Sequence, residues 1–182
     1  MSLIKAISLD QITEPREGLL AEIYRSFSAT TFSVASEQRV LTLIQTANLA
    51  EIGYYLPVQV LEGRGSNYTL CAGFRGFQIL RSAGLEKIPA RVVHDICPVQ
   101  SLKREIVSIY SYSSDDKTTY KSLNNLREAL RANASRELKE LIKMTCPELY
   151  NELSTNKRAL RKSLPGTSRV EAKIKIIQEK IQ

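Results

Sequence analysis

The residues best suited to chemistry lie in one short run, Ala72-Gly73-Phe74-Arg75-Gly76. A strand-like segment ends at Cys71, and helical spacing begins beyond it with Phe77, Ile79, Leu80 and Ala83. The first N–H groups of a helix have no partner within it and sit at the positive end of its dipole. Glycine lets another group approach the backbone closely, and an arginine fork matches a phosphate. Gly73, Phe74, Arg75 and Gly76 therefore form a candidate phosphate cradle. The same pattern also serves a turn that needs glycine and binds nothing.

The second set of candidates is cationic. Lys121, Arg127 and Arg131 recur along 117–132, and Arg136, Lys139 and Lys143 recur at spacings of three and four, which puts them on one helical face. Lys157, Arg158, Arg161 and Lys162 form the densest cluster. Rows of like charge cost stability unless a partner neutralises them, and DNA phosphates would do so. Glu137, Glu140, Glu148 and Glu152 balance part of this charge, as on an ordinary solvated face. The distribution favours a polyanion. Residues 1–97 carry nine lysines and arginines against nine carboxylates, and residues 98–182 carry 17 against 10, so the whole net charge of +7 falls in the second half. Aromatic residues are sparse there (Tyr110, Tyr112, Tyr120, Tyr150), so duplex DNA is a better fit than a stacked single strand.

Several chemistries find little support. The three cysteines, Cys71, Cys97 and Cys146, are widely spaced and form no CxxC pair. One histidine, His94, does not make a Cys/His zinc site or a Ser-His-Asp triad. Asp10 and Asp95, at or beside strand ends, are the best-placed carboxylates of the first half for a metal, but no ligand motif surrounds them. No apolar run approaches the roughly 20 residues that span a bilayer. The opening MSLIKAISLDQ lacks a signal peptide's apolar stretch, which predicts a cytoplasmic protein.

The elements that must position these residues change character near Cys97-Pro98. Before it, strands are expected at 3–9, 56–61, 68–71 and 88–93, with helices at 17–28, from Ser36 to about residue 50, and from the glycine run to Gly84. Gly53 and Gly84 read as helix stops. After it, helices are expected at 99–111, 117–132, 135–144, 146–154 and 168–181. Thr145-Cys146-Pro147-Glu148 and Ser168-Arg169-Val170-Glu171 fit a capping box. Val170, Ile174, Ile177 and Ile181 form an apolar stripe on the last helix, read as core packing or as a seam for a second copy or a partner protein. The pattern is α+β: a small mixed-sheet domain over 1–97 and a basic, all-helical region over 98–182.

The order Leu56-Pro57-Val58, Tyr68-Thr69-Leu70, Ala72-Gly73-Phe74-Arg75, Ala83-Gly84-Leu85 and Ile88-Pro89-Ala90, with Ile7-Ser8-Leu9-Asp10-Gln11-Ile12 before it, resembles the ParB/sulfiredoxin fold family over about residues 4–95. The resemblance implies a mixed-sheet fold, a nucleotide such as ATP or CTP with Mg²⁺ at Gly73–Gly76, and a DNA partner. It points to a protein of plasmid or other mobile-element type that serves maintenance or transfer. The box departs from the family's usual Gly-Glu-Arg-Arg. Phe74 replaces the acid and Gly76 the second arginine, leaving Arg64, Arg81 or Arg91 to supply that charge. In sulfiredoxin the catalytic cysteine stands where Phe74 does, so sulfinic acid reduction is not expected. Two other readings stay open: an NTP-hydrolysing or Mg²⁺-dependent DNA-cleaving enzyme on this fold, and a non-catalytic interaction protein.

Overall fold

The computed structural model describes residues 4–28, 41–42, 44–48, 51–53, 56–111 and 116–154. Five strands form one mixed sheet: β1 Ile4–Ser8, β2 Ile12–Thr13, β3 Val58–Glu62, β4 Tyr68–Ala72 and β5 Lys87–Val93, in the order β1-β5-β3-β4-β2. β5 runs antiparallel to β1 and parallel to β3, while β4 runs antiparallel to β3 and parallel to β2. The helices delimited among the described residues are α1 Gly18–Phe27, α2 Phe74–Ser82, α3 Pro98–Ser111, α4 Asp116–Asn133, α5 Arg136–Thr145 and α6 Pro147–Ser154. The fold class is α+β, as expected.

Alternation in the strands decides which face is covered. Ile7 pairs with Ile88, Val58 with Ala90, and Val60 with both Val92 and Leu70, and all seven are buried. Register partners project to the same side of a sheet, so these residues form one apolar face. The intervening residues form the other face, where Ile4, Arg91 and Gln59 stand in one row across β1, β5 and β3.

The core runs on without a break past residue 97. Leu20, Ile23 and Phe27 of α1 join Leu102, Ile106 and Ile109 of α3, Leu123 and Leu126 of α4, and Leu138 and Ile142 of α5 in one cluster. Polar contacts cross the same boundary. Glu22 of α1 accepts a hydrogen bond from the Ser135 N–H at 2.9 Å, and the Ser135 hydroxyl caps α5 by accepting from Leu138 N–H at 3.1 Å. Tyr110 of α3 donates to Glu152 of α6 at 3.1 Å.

Two local expectations change. α5 continues through Thr145, and Cys146 takes the position before α6, so Thr145 does not cap it. Gly53 is the last described residue of a helical stretch at 51–53, and a side chain there would meet the Pro89 ring at 2.9 Å, so packing requires the glycine. Of the helix expected from Ser36 to about residue 50, residues 41–42 and 44–46 are helical, while Ala47 and Asn48 are not, so it stops earlier than expected; residues 36–40, 43 and 49–50 lie outside the described residues. The 168–181 helix, its apolar stripe and its capping box lie outside them too.

Candidate functional site

The expected strand–turn–helix is present. β4 ends at Ala72, and Gly73 adopts a left-handed conformation (φ 77°, ψ 34°) as the cap of α2. A Cβ at Gly73 would sit 2.3 Å from the Pro57 carbonyl oxygen and 2.9 Å from Val58 Cα. Both conformation and space therefore require glycine. The close approach is to the chain's own β3 entry strand.

The anion at this helix terminus is internal. Glu105 of α3, 1% exposed, accepts from the Gly73 N–H at 2.7 Å and from the Phe74 N–H at 3.3 Å through Oε1. Burial pushes its carboxyl up to about 7, against the pull of the two amides and the charge of Arg104. Glu105 thus fills the position where a ligand phosphate was expected to meet these amides. The sequence carried a signal for it. Leu102, Ile106 and Ile109 form the buried stripe of α3, and Glu105 falls on that stripe at helical spacing.

The four box residues are placed as follows. Phe74 is 0% exposed and packs edge-on against Tyr24, with ring centroids 5.1 Å apart, so its side chain belongs to the core. Arg75 lies along its own helix and donates to Gln78 Oε1 at 3.0 Å. Gly76 is buried against Leu56. Cys71 is buried as well, and its thiol, pushed up to about 11 by that burial, is a poor nucleophile.

Of the arginines named as substitutes, Arg81 pairs with Glu14 at 3.2 Å on the surface. The side chain of Arg64 lies outside the described residues. Arg91 is exposed and stands beside Gln59 in register on β3. The Gln59 carboxamide, oriented with its oxygen toward Arg104, accepts from Nη2 at 3.0 Å and Nη1 at 3.2 Å. Arg104 was not singled out by the sequence. Burial and the neighbouring Arg91 charge both lower its guanidinium pKa, while Glu105 raises it.

The basic residues divide. Lys121, Arg131, Arg136, Lys139 and Lys143 are exposed. On α5, Arg136, Lys139 and Lys143 lie opposite the buried Leu138, Leu141 and Ile142. Arg127 is different: it is 3% exposed and lies beside Glu128 at 3.6 Å. It stands six positions along from Lys121, over one and a half turns, which sets the two on different faces. Arg127 sits instead among Leu123, Leu126 and Leu130, which are buried. With Arg131, Lys139, Ile142 and Tyr150 it lines a cleft of about 290 Å³. Lys143 lies over the Tyr150 ring, 6.0 Å from its centroid. Lys157, Arg158, Arg161 and Lys162 lie outside the described residues.

Among the described residues no three or more His, Cys, Asp or Glu side chains converge as a metal site, and Asp10 and Asp95 are exposed. No described helix is long and apolar enough to cross a membrane.

No known family profile matches the chain, and no curated protein matches it. Among solved structures it is similar to the C-terminally truncated chromosome-partitioning protein ParB of Caulobacter crescentus. The crystal structure of that protein with CTP-gamma-S shares 14% identity at a TM-score of 0.33, over 88% of this chain and 98% of the other. Its structure with the centromeric parS site shares 14% identity at a TM-score of 0.35, over 97% and 96%. Similarity at that level says nothing of what this chain binds.

Proposed function

We propose that this chain is a DNA-associated protein of a plasmid or other mobile element, acting in maintenance or transfer. It binds duplex DNA through the basic helical half and carries a nucleotide-phosphate site beside the Gly73–Gly76 turn. The observation that supports DNA binding best is the exposed face of α5. Arg136, Lys139 and Lys143 all reach solvent on the side away from the core. Arg131 and Lys121 of α4 are exposed as well. Phosphate contacts of this kind are electrostatic and independent of sequence. Lys157, Arg158, Arg161 and Lys162 add to the same charge along the chain.

The test is retardation of plasmid DNA on an agarose gel by the full chain and by an Arg136→Gln/Lys139→Gln/Lys143→Gln variant. The reading expects retardation that the triple variant weakens. Equal retardation by both proteins would remove α5 from the interface. Nicked or linear DNA that disappears with EDTA would instead make the chain a nuclease.

A further inference from the structure

We infer that Arg91 and Arg104 form a binding site for a multiply charged phosphate group, beside the Gly73 turn but not within it. The inference deepens the nucleotide reading above and rests on it for the identity of the larger ligand.

The amides at the turn are engaged, since Gly73 and Phe74 both donate to Glu105. A ligand phosphate must therefore find its donors nearby. Gln59 of β3 stands in register with Ala72, the residue before Gly73, and on its other side with Arg91 of β5. Register partners project to one side of the sheet, so Arg91 and Gln59 are lateral neighbours. Gln59 also holds the Arg104 guanidinium through both terminal nitrogens, at 3.0 and 3.2 Å. Arg104 is thereby fixed against the sheet next to Arg91.

Beside burial, the Arg91 charge lowers the pKa of the Arg104 guanidinium, so the two like charges feel one another. Among the described residues neither has a carboxylate within 4.0 Å. Glu105 is adjacent in sequence, but its Oε1 is committed to the turn amides. Arg91 remains exposed, so the pair is accessible from solvent. A carboxylate carries one charge and would leave this pair in excess; a phosphate carries more and offers three oxygens to two planar forks. The pair also supplies the second cation that Gly76 removes from the box.

Isothermal titration calorimetry on the full chain, at constant ionic strength, tests this with sodium tripolyphosphate, CTP and ATP in separate arms. Arg91→Gln, at an exposed position outside the core, is expected to weaken tripolyphosphate binding at least tenfold, the loss of one charge-assisted contact. Arg104→Lys keeps the charge but loses the fork held by Gln59, and weakens binding too. Equal affinity in wild type and Arg91→Gln, or no binding of any of the three anions, overturns the site. Nucleotide binding that survives Arg91→Gln but is lost in Arg75→Ala also overturns it, and leaves the nucleotide reading intact. Tripolyphosphate bound through Arg91 with no binding of CTP or ATP keeps the site and removes the nucleotide.

Discussion

Replacing Glu105 with glutamine should change how stability depends on pH. The wild-type carboxyl is pushed from its ordinary 4.5 up to about 7 by burial. A folded-state value above the unfolded one means that the folded protein holds the proton more tightly. The stabilisation is fully present below the unfolded value and is lost as pH rises through the folded one. The difference, 7 − 4.5 = 2.5 pH units, corresponds to about 3 kcal/mol over the whole window. Between about pH 5 and about pH 8 the wild type should lose about 2.5 kcal/mol through this group alone. Glutamine keeps an oxygen that can accept from Gly73 and Phe74 but has no charge to bury. The variant should therefore gain on the wild type by the same amount as pH rises. Urea unfolding of both proteins at the two pH values measures it, and taking the difference between them removes contributions from other titrating groups. A gap that stays constant with pH, within about 0.5 kcal/mol, would show that Glu105 does not titrate in this window and would refute the reasoning.

Other consequences follow from the same geometry. Gly73→Ala forces a Cβ to 2.3 Å from the Pro57 oxygen at positive φ, and should cost about 3 kcal/mol or more in chemical denaturation. Phe74→Ala opens a hole against Tyr24 and should cost about 3–5 kcal/mol, marking Phe74 as a core residue and not a ligand contact. Tyr110→Phe removes the bond to Glu152 that ties α3 to α6, and should cost about 1 kcal/mol by the same measurement. Arg127→Gln should lower stability while leaving DNA affinity at low salt nearly unchanged in a fluorescence anisotropy titration, because the guanidinium is buried.

Much of the fold was legible because its periodicities are strong. The alternation around Ile7, Val58, Val60 and Val92 agrees with the strands expected there, and the spacing of Arg136, Lys139 and Lys143 marked the outer face of α5. β2, with only Ile12 and Thr13, is too short for any period to register. The turn at Gly73 was legible as a turn, but its contents were not. Pairing the Gly73 and Phe74 amides with Glu105 joins residues more than 30 apart in sequence, which no local pattern encodes. The same holds for Arg104, which reaches Gln59 on a strand that precedes it by a whole β4–α2–β5 unit. The burial of Arg127 was not legible, because the recurrence of basic residues along α4 says nothing of which face each one takes. A three-and-four spacing, as at Arg136, Lys139 and Lys143, defines a face; a spacing of six does not.

The salt dependence of duplex DNA binding tests the central claim most directly. Fluorescence anisotropy with a labelled duplex, between about 50 and about 200 mM salt, gives the slope of log affinity against log salt, which changes by about 0.9 for each phosphate contact. Neutralising Arg136, Lys139 and Lys143 together should flatten the wild-type slope by up to about 2.7 and weaken binding at every salt concentration. A wild type that does not bind duplex DNA at low salt, or a triple variant with an unchanged slope, would contradict a DNA interface on this face of α5.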